Sequence, residues 1–480
     1  MLPGGALCPS VGVTGFLRIF PEDTASVCGD LFRLSSQCSE RIRIFHCSFF
    51  SSFWCKKTVS QGLATKVVGE LTRAGFVAYW AGGCVRDLLR GVPAKDYDVA
   101  TSATPDQVRQ VFGRRRTLAV GESFGVIIVL GEDRSRDQVE VATFREEGGY
   151  TDGRRPGRVS FCTPEEDAKR RDFTINGMFF DPLTETVHDF VGGAEDLRRK
   201  VVRAIGNPQE RMTEDKLRML RGVRFAAALD FELDAATADA IRQMSAELTV
   251  VSAERIAQEL RRMLSSATRF RAVQICFELG LFNVILPELT GGGTDADRVQ
   301  LLAVLNRLQT DQFETAFAAL VRHVPLDSGR KASLATSGSV NSACLRLKLS
   351  NDETERILWL RARLGRLKSL PAEPIAALKR LAAEPDWREL LELERAIAEV
   401  LNEDLSPYSW IDETLKQIPA EELNPPPLLT GRDLLREGFT AGPQFKTWLE
   451  LVRDAQLNGE IRDRDEAMNY IHHLSQQPKT

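Results

Sequence analysis

The chain has 480 residues, more than one small domain needs, and a length that suggests roughly two to four folded units. With 43% hydrophobic and 27% charged residues it has an ordinary globular composition, and it contains no run of about 18 apolar residues, so no membrane-spanning helix is expected. A net charge of −4 argues against a uniformly basic surface but leaves room for a local basic groove that takes nucleic acid.

Five of the nine cysteines (Cys8, Cys28, Cys38, Cys47 and Cys55) precede residue 60, and Cys84, Cys162, Cys276 and Cys344 are scattered. Neither CxxC nor HExxH occurs, which speaks against a zinc site, and this usage suggests a reducing, cytoplasmic setting. Residues 1–58 have neither helical nor strand periodicity and lack the ordered basic, apolar and cleavage regions of a secretory signal. They are expected to be a poorly ordered extension, either dispensable (an upstream start codon would produce one) or serving a targeting or partner role.

From Val59 the pattern becomes regular: Val59, Leu63, Val67 and Leu71 recur at helical spacing and stop at Gly75. "FVAYWA" (76–81) predicts a strand, Gly82-Gly83 a turn, and "CVRDLL" a short helix closed by Gly91 and Pro93. "YDVAT" predicts a second strand, and Thr104-Pro105 caps and opens the helix "PDQVRQVF". Strands are expected over "RTLAV", "FGVIIVLG" and "VEVATF", followed by a mobile loop rich in glycine, proline and charge, "REEGGYTDGRRPGRVSF" (145–161). Up to about residue 205 this mixture predicts a small α/β sheet domain. Beyond residue 210 strands are expected to disappear, leaving amphipathic helices such as "TEDKLRMLRGVRFAAALD" and "SAERIAQELRRML". "NPPPLLTGRDLL" (424–435) marks a late turn or linker before a helical tail, and no repeat of about 20 to 50 residues is present.

Within a strand, residues i and i+2 share a face, so Asp96 and Asp98 of "DYD" would stand side by side with Tyr97 turned away. Two carboxylates that close repel unless a cation lies between them. Mg²⁺ suits such a pair because it prefers hard oxygens and keeps waters that substrate phosphates can replace. The alternative is two solvated acids near a strand end. Gly82-Gly83 would let backbone N–H groups approach a phosphate, with Arg86 one turn on to neutralise it, or would form a plain tight turn. The glycines, the arginine and the paired acids, in this order, point to phosphate chemistry more strongly than any one of them does. "RRD" at 170–172 reads as a charge cluster at a helix start. In "EDKLRMLRGVRF" (214–225), Asp215, Arg218, Arg221 and Arg224 recur every third residue and would line one stripe of a helix, opposite Leu217, Leu220 and Val223. A salt-bridged surface helix has the same spacing.

"GGCVRDLLRGVPAKDYDVAT" resembles the signature of the tRNA nucleotidyltransferase and bacterial poly(A) polymerase family within the polymerase-beta superfamily. The resemblance implies two Mg²⁺ ions on Asp96 and Asp98, one activating an RNA 3′-hydroxyl and one holding the triphosphate. It also implies triphosphate contacts from Gly82, Gly83 and Arg86, and a third carboxylate from the neighbouring strand, for which Glu140 is the candidate. A second family motif is similar to "RRDFTINGMFFDP" (170–182) and implies ribose recognition by Arg171 and Asp172 with Asn176 nearby. An aspartate that accepts from a 2′-hydroxyl disfavours the deoxy competitor. A third is similar to residues 214–225 and implies that Asp215 and Arg218 are the template for the incoming base, with Arg221 and Arg224 adding base or triphosphate contacts. Cytosine and adenine both set an amino donor beside a ring-nitrogen acceptor, complementary to a carboxylate and a guanidinium. Uracil and guanine would face the carboxylate with a carbonyl and leave polar groups unpaired.

The likeness extends to "AERIAQELRRML" (253–264), similar to the helix that braces the family's neck, and to residues 428–471, similar to its tail. The implied architecture is an α/β nucleotidyltransferase sheet domain of polymerase-beta type followed by an elongated all-α neck, body and tail. Its parts are the extension 1–58, the catalytic head 59–205, the neck 206–275 with the base-selecting helix, the body 276–423 and an RNA-binding tail 424–480. The implied activity is template-independent addition of CCA, from CTP and ATP, to tRNA 3′ ends. Poly(A) polymerase or A-adding tRNA nucleotidyltransferase is the alternative. The full-length "EEGGYTDGRRPGRV" favours competence for A, whereas "IHHLSQQPKT" is not the basic extension usual in bacterial poly(A) polymerases. The paired His-Asp ligands of a phosphohydrolase module are not found: His323 stands alone and His472-His473 lie near the end. Expected partners are tRNA or another RNA 3′ end, ATP and CTP, with no membrane; the sequence gives no indication of oligomeric state. Arg255, Arg261, Arg262, Arg269, Arg271, Arg346, Lys348, Arg361, Arg363, Arg366 and Lys368 could follow RNA phosphates, or could be ordinary solvated helix faces.

Overall fold

The computed structural model describes residues 59–119, 125–133, 137–148, 158–291, 294–326 and 338–476; the extension 1–58 lies outside them. Helix α1 (Val59–Arg73) buries Leu63, Val67, Val68 and Leu71, and the chain turns at Gly75 into β1 (Ala78–Ala81). Then come α2 (Gly83–Leu89), β2 (Asp98–Thr101) and α3 (Pro105–Phe112), whose start is fixed by a reciprocal capping box between Thr104 and Gln107. The strands β3 (Thr117–Leu118), β4 (Val126–Leu130) and β5 (Gln138–Thr143) follow.

The segment expected as a plain loop carries a short ladder at its ends, β6 (Arg145–Gly148) antiparallel to β7 (Arg158–Phe161), while 149–157 lie outside the described residues. Helix α4 (Pro164–Lys169), strands β8 (Phe179–Asp181) and β9 (Thr186–His188) and helix α5 (Gly193–Arg198) complete the sheet region. Seven strands form one sheet in the order β3-β4-β5-β2-β1-β8-β9. All neighbours are antiparallel except β2 and β5, whose parallel pairing is made possible by the α3–β3–β4 crossover. Alternate apolar residues divide the sheet's faces. Trp80, Val99, Ile127, Val129, Val139 and Val141 belong to the main core, and Ala81, Ala100, Phe144 and Phe179 form a smaller one with Ala168 of α4.

The structure departs from the sequence expectations at three points. Strand β2 starts at Asp98, so Asp96 precedes it; the alternation nonetheless holds, because Tyr97 is buried edge-on against Trp80 at 4.8 Å while both aspartates face solvent. Strands also do not end before residue 210: β10 (Val201–Val202) pairs in parallel with β11 (Glu232–Leu233) across the next two helices. Those helices are α6 (Pro208–Glu214) and α7 (Arg218–Leu229), and they are separate. Asp215 sits at the break in extended conformation (φ −144°, ψ 105°), off the stripe that its three-residue spacing suggested. Its side chain accepts from the Leu217 amide at 3.0 Å, an aspartate-turn bond that competes with helix continuation.

The rest is helical: α8 (Ala235–Met244), α9 (Ala253–Leu264), α10 (Arg269–Glu278), α11 (Phe282–Ile285), α12 (Asp295–Arg307), α13 (Phe313–Leu320), α14 (Val340–Arg346), α15 (Asn351–Arg363), α16 (Ile375–Ala382), α17 (Trp387–Leu401) and α18 (Ser406–Gln417). Then follow α19 (Ala420–Leu423), α20 (Gly431–Arg436), α21 (Gln444–Asn458) and α22 (Arg464–Gln476). One continuous apolar core runs from α1 to α18, whereas Leu429, Leu434, Val452, Ala455, Ile461, Ala467 and Ile471 make a separate small core in the last helices. Among the described residues no helix is long and apolar enough to cross a membrane.

Most of the basic residues expected to be available for RNA phosphates already have protein partners. Arg261 pairs with Glu353, Arg271 with Asp230 and Glu232, Arg346 with Glu288, Lys348 with Glu254, Arg366 with Glu373 and Lys368 with Glu403. Arg269 is buried and donates to the carbonyls of Ser266, Leu308 and Thr310, and Arg361 donates to the Val324 carbonyl. Arg363 lies over the Trp359 ring at 4.3 Å. Periodicity could not reveal this, because an ion pair between helices leaves no signature in either helix alone.

Candidate active site

Where β1 runs into α2, Gly82 adopts φ +75°, a left-handed conformation that a side chain would strain. Space is also short there, since a Cβ would stand 3.2 Å from Nη1 of Arg171. Asp96 and Asp98 close the opposite side. Protein crowding removes much of the hydration of the Asp98 carboxylate and, with the nearby charges of Glu140 and Asp96, pushes it up to about 6, against the pull of Arg171. Glu140 is solvent-exposed on β5, one residue before the Val99–Val141 pair that sets β2 beside β5. Its charge reaches Asp98, yet among the described residues it does not close a three-carboxylate group with the two aspartates, and it does not line the cleft. The two aspartates still fit a hard divalent cation: they are oxygen donors in excess negative charge, one of them held well above the usual carboxylate range.

The "RRDFTIN" segment packs over this floor as a tight turn (Thr174–Asn176). Gly193 makes the packing possible, because a Cβ there would fall 2.2 Å from the Thr174 carbonyl oxygen. Asn176 links two arms of the site: its Oδ1 accepts from Arg86 at 2.9 Å and its Nδ2 donates to Asp172 at 3.3 Å. Asp172 is buried, and burial alone would push it up. Arg221, at 2.9 and 2.6 Å, together with the Phe173 amide, holds it below its ordinary value. Each Asp172 oxygen therefore already accepts two donors. Arg171 is held by Asp167 at 3.1 and 3.0 Å and lies over the Phe179 ring at 4.9 Å. Asp167 is itself buried, and Arg171 and Arg170 keep it below the ordinary carboxylate range despite that burial.

The third wall is α7. Arg218 is buried; its guanidinium donates to Glu214 and to the carbonyls of Arg211 (2.9 Å) and Arg170 (3.0 Å). Asp215 is gripped in bidentate fashion by Arg255 of α9, at 3.2 and 2.8 Å. Arg224 donates to the buried Glu259 at 2.6 Å, and Arg262 reaches the other oxygen of Glu259 at 2.9 Å. Gly82, Gly83, Arg86, Asp96, Asp98, Arg171, Asp172, Asn176, Asp215, Arg218, Arg221 and Arg224 thus line one cleft of about 610 Å³, with Arg170, Phe225 and Arg262 added. Seven arginines and four aspartates line it, so guanidinium groups outnumber carboxylates on its wall, while Asp167, Glu214 and Glu259 pair with arginines from outside the lining.

Sequence reasoning missed the supporting residues Asp167, Glu214 and Glu259 and the lining residue Phe225, and it read Arg255 as a candidate for RNA phosphates rather than as the partner of Asp215. Glu259 had a legible signal, a carboxylate beside the apolar stripe Ile256, Leu260 and Met263 of α9, all buried. Asp167 had none, since "TPEED" reads as an ordinary capped helix start.

Residues 78–203 match the family described as the poly A polymerase head domain, and residues 230–291 match a probable RNA and SrmB-binding site of polymerase A. The CCA-adding enzyme of Geobacillus stearothermophilus is 32% identical over 411 residues, 84% of this chain and 94% of that protein. The CCA-adding enzyme of Enterococcus faecalis is 46% identical over 207 residues, 43% of this chain and half of that protein's length. Poly(A) polymerase I of Salmonella typhi is 39% identical over 249 residues, 49% of this chain and 52% of that protein. The crystal structure of the Bacillus stearothermophilus CCA-adding enzyme in complex with CTP superposes with a TM-score of 0.68 at 28% identity, covering 88% of this chain and 98% of that one. The chain belongs to the CCA-adding enzyme and poly(A) polymerase family of nucleotidyltransferases.

Proposed function

We propose that this protein is a cytoplasmic, template-independent RNA nucleotidyltransferase that adds C and A, from CTP and ATP, to the 3′ end of tRNA. One observation carries the reading: an acid pair, a glycine turn, an excess of arginines and the Asp215/Arg218 pair converge on a single cleft. Divalent metal use goes with the nucleotidyltransferase family. Two Mg²⁺ ions on Asp96 and Asp98 would neutralise the phosphates and acidify the RNA 3′-hydroxyl that attacks the α-phosphorus. The chain's own residues bind and orient. The Gly82-Gly83 turn brings backbone close to the triphosphate, and Arg86, Arg221 and Arg224 balance its charge. Glu140 supplies further negative potential beside Asp98 and thereby favours cation binding.

Asp172 and Asn176 stand at the ribose end with Arg171. Because both Asp172 oxygens are occupied, accepting a 2′-hydroxyl means exchanging one existing donor for it. Base selection needs an acceptor and a donor that do not rotate to suit the wrong base. Arg255 fixes the Asp215 carboxylate and Glu214 fixes the Arg218 guanidinium, so a uracil or guanine carbonyl set against Asp215 finds no donor. The domain organisation proposed is a catalytic head over 59–205, a neck over 206–275, a body over 276–423 and an RNA-binding tail over 424–480. The four described cysteines are free thiols, which supports a reducing compartment.

The experiment is single-nucleotide incorporation with Mg²⁺ into tRNA ending at the discriminator base, at C, or at CC. Ordered addition of C, C and A is expected. The likeness to Salmonella poly(A) polymerase I makes long A tails the competing outcome, and incorporation of all four nucleotides at equal rates would overturn the base-selection reading.

A further inference from the structure

Phe225 is the one aromatic side chain lining the cleft among the described residues, and it is 9% exposed. Three guanidiniums lie against its ring: Arg224 with Cζ 4.2 Å from the centroid, Arg221 at 5.4 Å and Arg86 at 5.7 Å. Arg86 comes from α2 in the sheet region and the other two from α7, so the ring joins parts of the site that are remote in sequence. Phe225 is itself held edge-on by Phe173 at 5.8 Å and 76°. Phe173 is fully buried and leaves no slack behind it, since a Cβ on Gly222 would lie 3.0 Å from its ring.

Three like charges gathered around one ring repel one another unless something attracts them inward. Each already has an acidic or polar partner elsewhere: Asp87 and Asn176 for Arg86, Asp172 for Arg221 and Glu259 for Arg224. A further carboxylate at the centre would neutralise the charge and occupy the N–H donors that phosphate oxygens need. An aromatic face attracts guanidiniums through its quadrupole and uses none of those donors. We infer that Phe225 is a positioning residue that gathers Arg86, Arg221 and Arg224 into one triphosphate-binding set. This rests on the nucleotidyltransferase reading above.

The triphosphate is common to CTP and ATP and is held in both the ground state and the transition state. Loss of the ring therefore weakens uniform binding, which raises KM and leaves kcat at saturation in place. The test compares wild type, Phe225→Leu and Phe225→Tyr in single additions of CTP and of ATP. The Leu variant is expected to show KM raised about tenfold for both nucleotides alike, with kcat within about twofold and discrimination against UTP unchanged. The Tyr variant, which keeps the ring, is expected to restore KM.

A phenylalanine that only fills space would, when removed, lower the amount of active enzyme and hence kcat, with KM unmoved. That result overturns the inference, as does a KM change confined to one nucleotide. If the Leu variant does not fold, mono-, di- and trifluorophenylalanine at position 225 keep the shape and weaken the ring's face in steps. KM rising with each step supports the inference, and a flat series overturns it. If wild type incorporates nothing, the functional reading fails by itself. Calorimetric CTP binding over the same fluorinated series then decides the role of the ring, with affinity falling stepwise or staying flat.

Discussion

Arginines in the cleft and arginines in the helical body both meet carboxylates, but the accounting differs. In the helical region beyond the cleft the pairing is close to one for one: Arg261 with Glu353 and Arg346 with Glu288 bridge separate elements, and Arg366 with Glu373 closes a single turn region. In the cleft only Arg221 pairs with a lining aspartate, Asp172; the other six lining arginines pair with Asp87, Asp167, Glu214 and Glu259, which lie outside the lining, so that Asp167 and Glu259 each hold two arginines. A paired arginine between helices mainly specifies how they pack, and at partial exposure it adds little net stability. A set in which buried acids such as Glu259 and Asp167 each hold two arginines against one cleft is a site suited to an anion.

The sharpest way to break this contrast is to remove Asp96 or Asp98, the acids of the cleft that form no ion pair among the described residues. Asp96→Ala or Asp98→Ala is expected to lower incorporation by about a thousandfold or more, while gel-shift affinity for tRNA stays near wild type. An active Asp96→Ala enzyme would overturn the metal assignment. Next in size is base choice. Asp215→Ala is expected to reduce discrimination of CTP over UTP by about 10–100-fold in kcat/KM. Arg255→Ala, which frees the same carboxylate to rotate, should move discrimination in the same direction by less, because the acceptor itself remains. If Arg255→Ala lowered kcat/KM for CTP and UTP equally, Arg255 would have no part in selection.

These expectations also show what the sequence carries. Most of the residues that line the cleft, though not Arg170, Phe225 or Arg262, were legible because phosphate, metal and base chemistry constrain residue type and local spacing together, as in Gly82-Gly83, Arg86, Asp96 and Asp98. Their holders were mostly not legible. Arg255 looked like one more basic residue on an amphipathic helix, and only the fold brings it to Asp215, 40 positions earlier in the chain. The helix break at Asp215 was hidden for a related reason: a three-residue spacing suits a helix, and the aspartate turn that interrupts it depends on a side-chain bond to Leu217. Secondary structure in the sheet region followed its alternation closely, except where pairing partners decide an end, as at Asp96.

In the neck, a charge that has nothing to do with ligand can be tested the same way. Arg269 is 2% exposed, and burial holds it below its ordinary value. Its donors serve three carbonyls near the ends of neighbouring helices. Arg269→Met leaves those acceptors unpaired and is expected to cost about 2–4 kcal/mol in denaturant unfolding, with kcat/KM of the folded protein unchanged. A loss of activity without a loss of stability would place Arg269 on the RNA path after all.

The smallest effect expected is a pH dependence rooted in the same core. Glu394 of α17 is 2% exposed and accepts from the amides of Gly365 (2.9 Å) and Leu367 (3.4 Å) and from the Tyr408 hydroxyl (3.4 Å). Burial pushes its carboxyl up to about 7, more than those amides and Lys368 pull it down. The folded state therefore holds this proton more tightly than the unfolded chain, whose carboxyl titrates near its ordinary value of 4.5. Stability from this group is fully present below the ordinary value and is lost as pH rises through about 7. Glu394→Gln keeps an acceptor for the two amides and removes the titration. Between about pH 5 and 8 the wild type is expected to lose about 1–2 kcal/mol relative to the Gln variant, read as diverging melting temperatures. Parallel curves would mean that the amides of Gly365 and Leu367, rather than burial, govern this carboxyl, and that the body tolerates an ionised acid as readily as the cleft does.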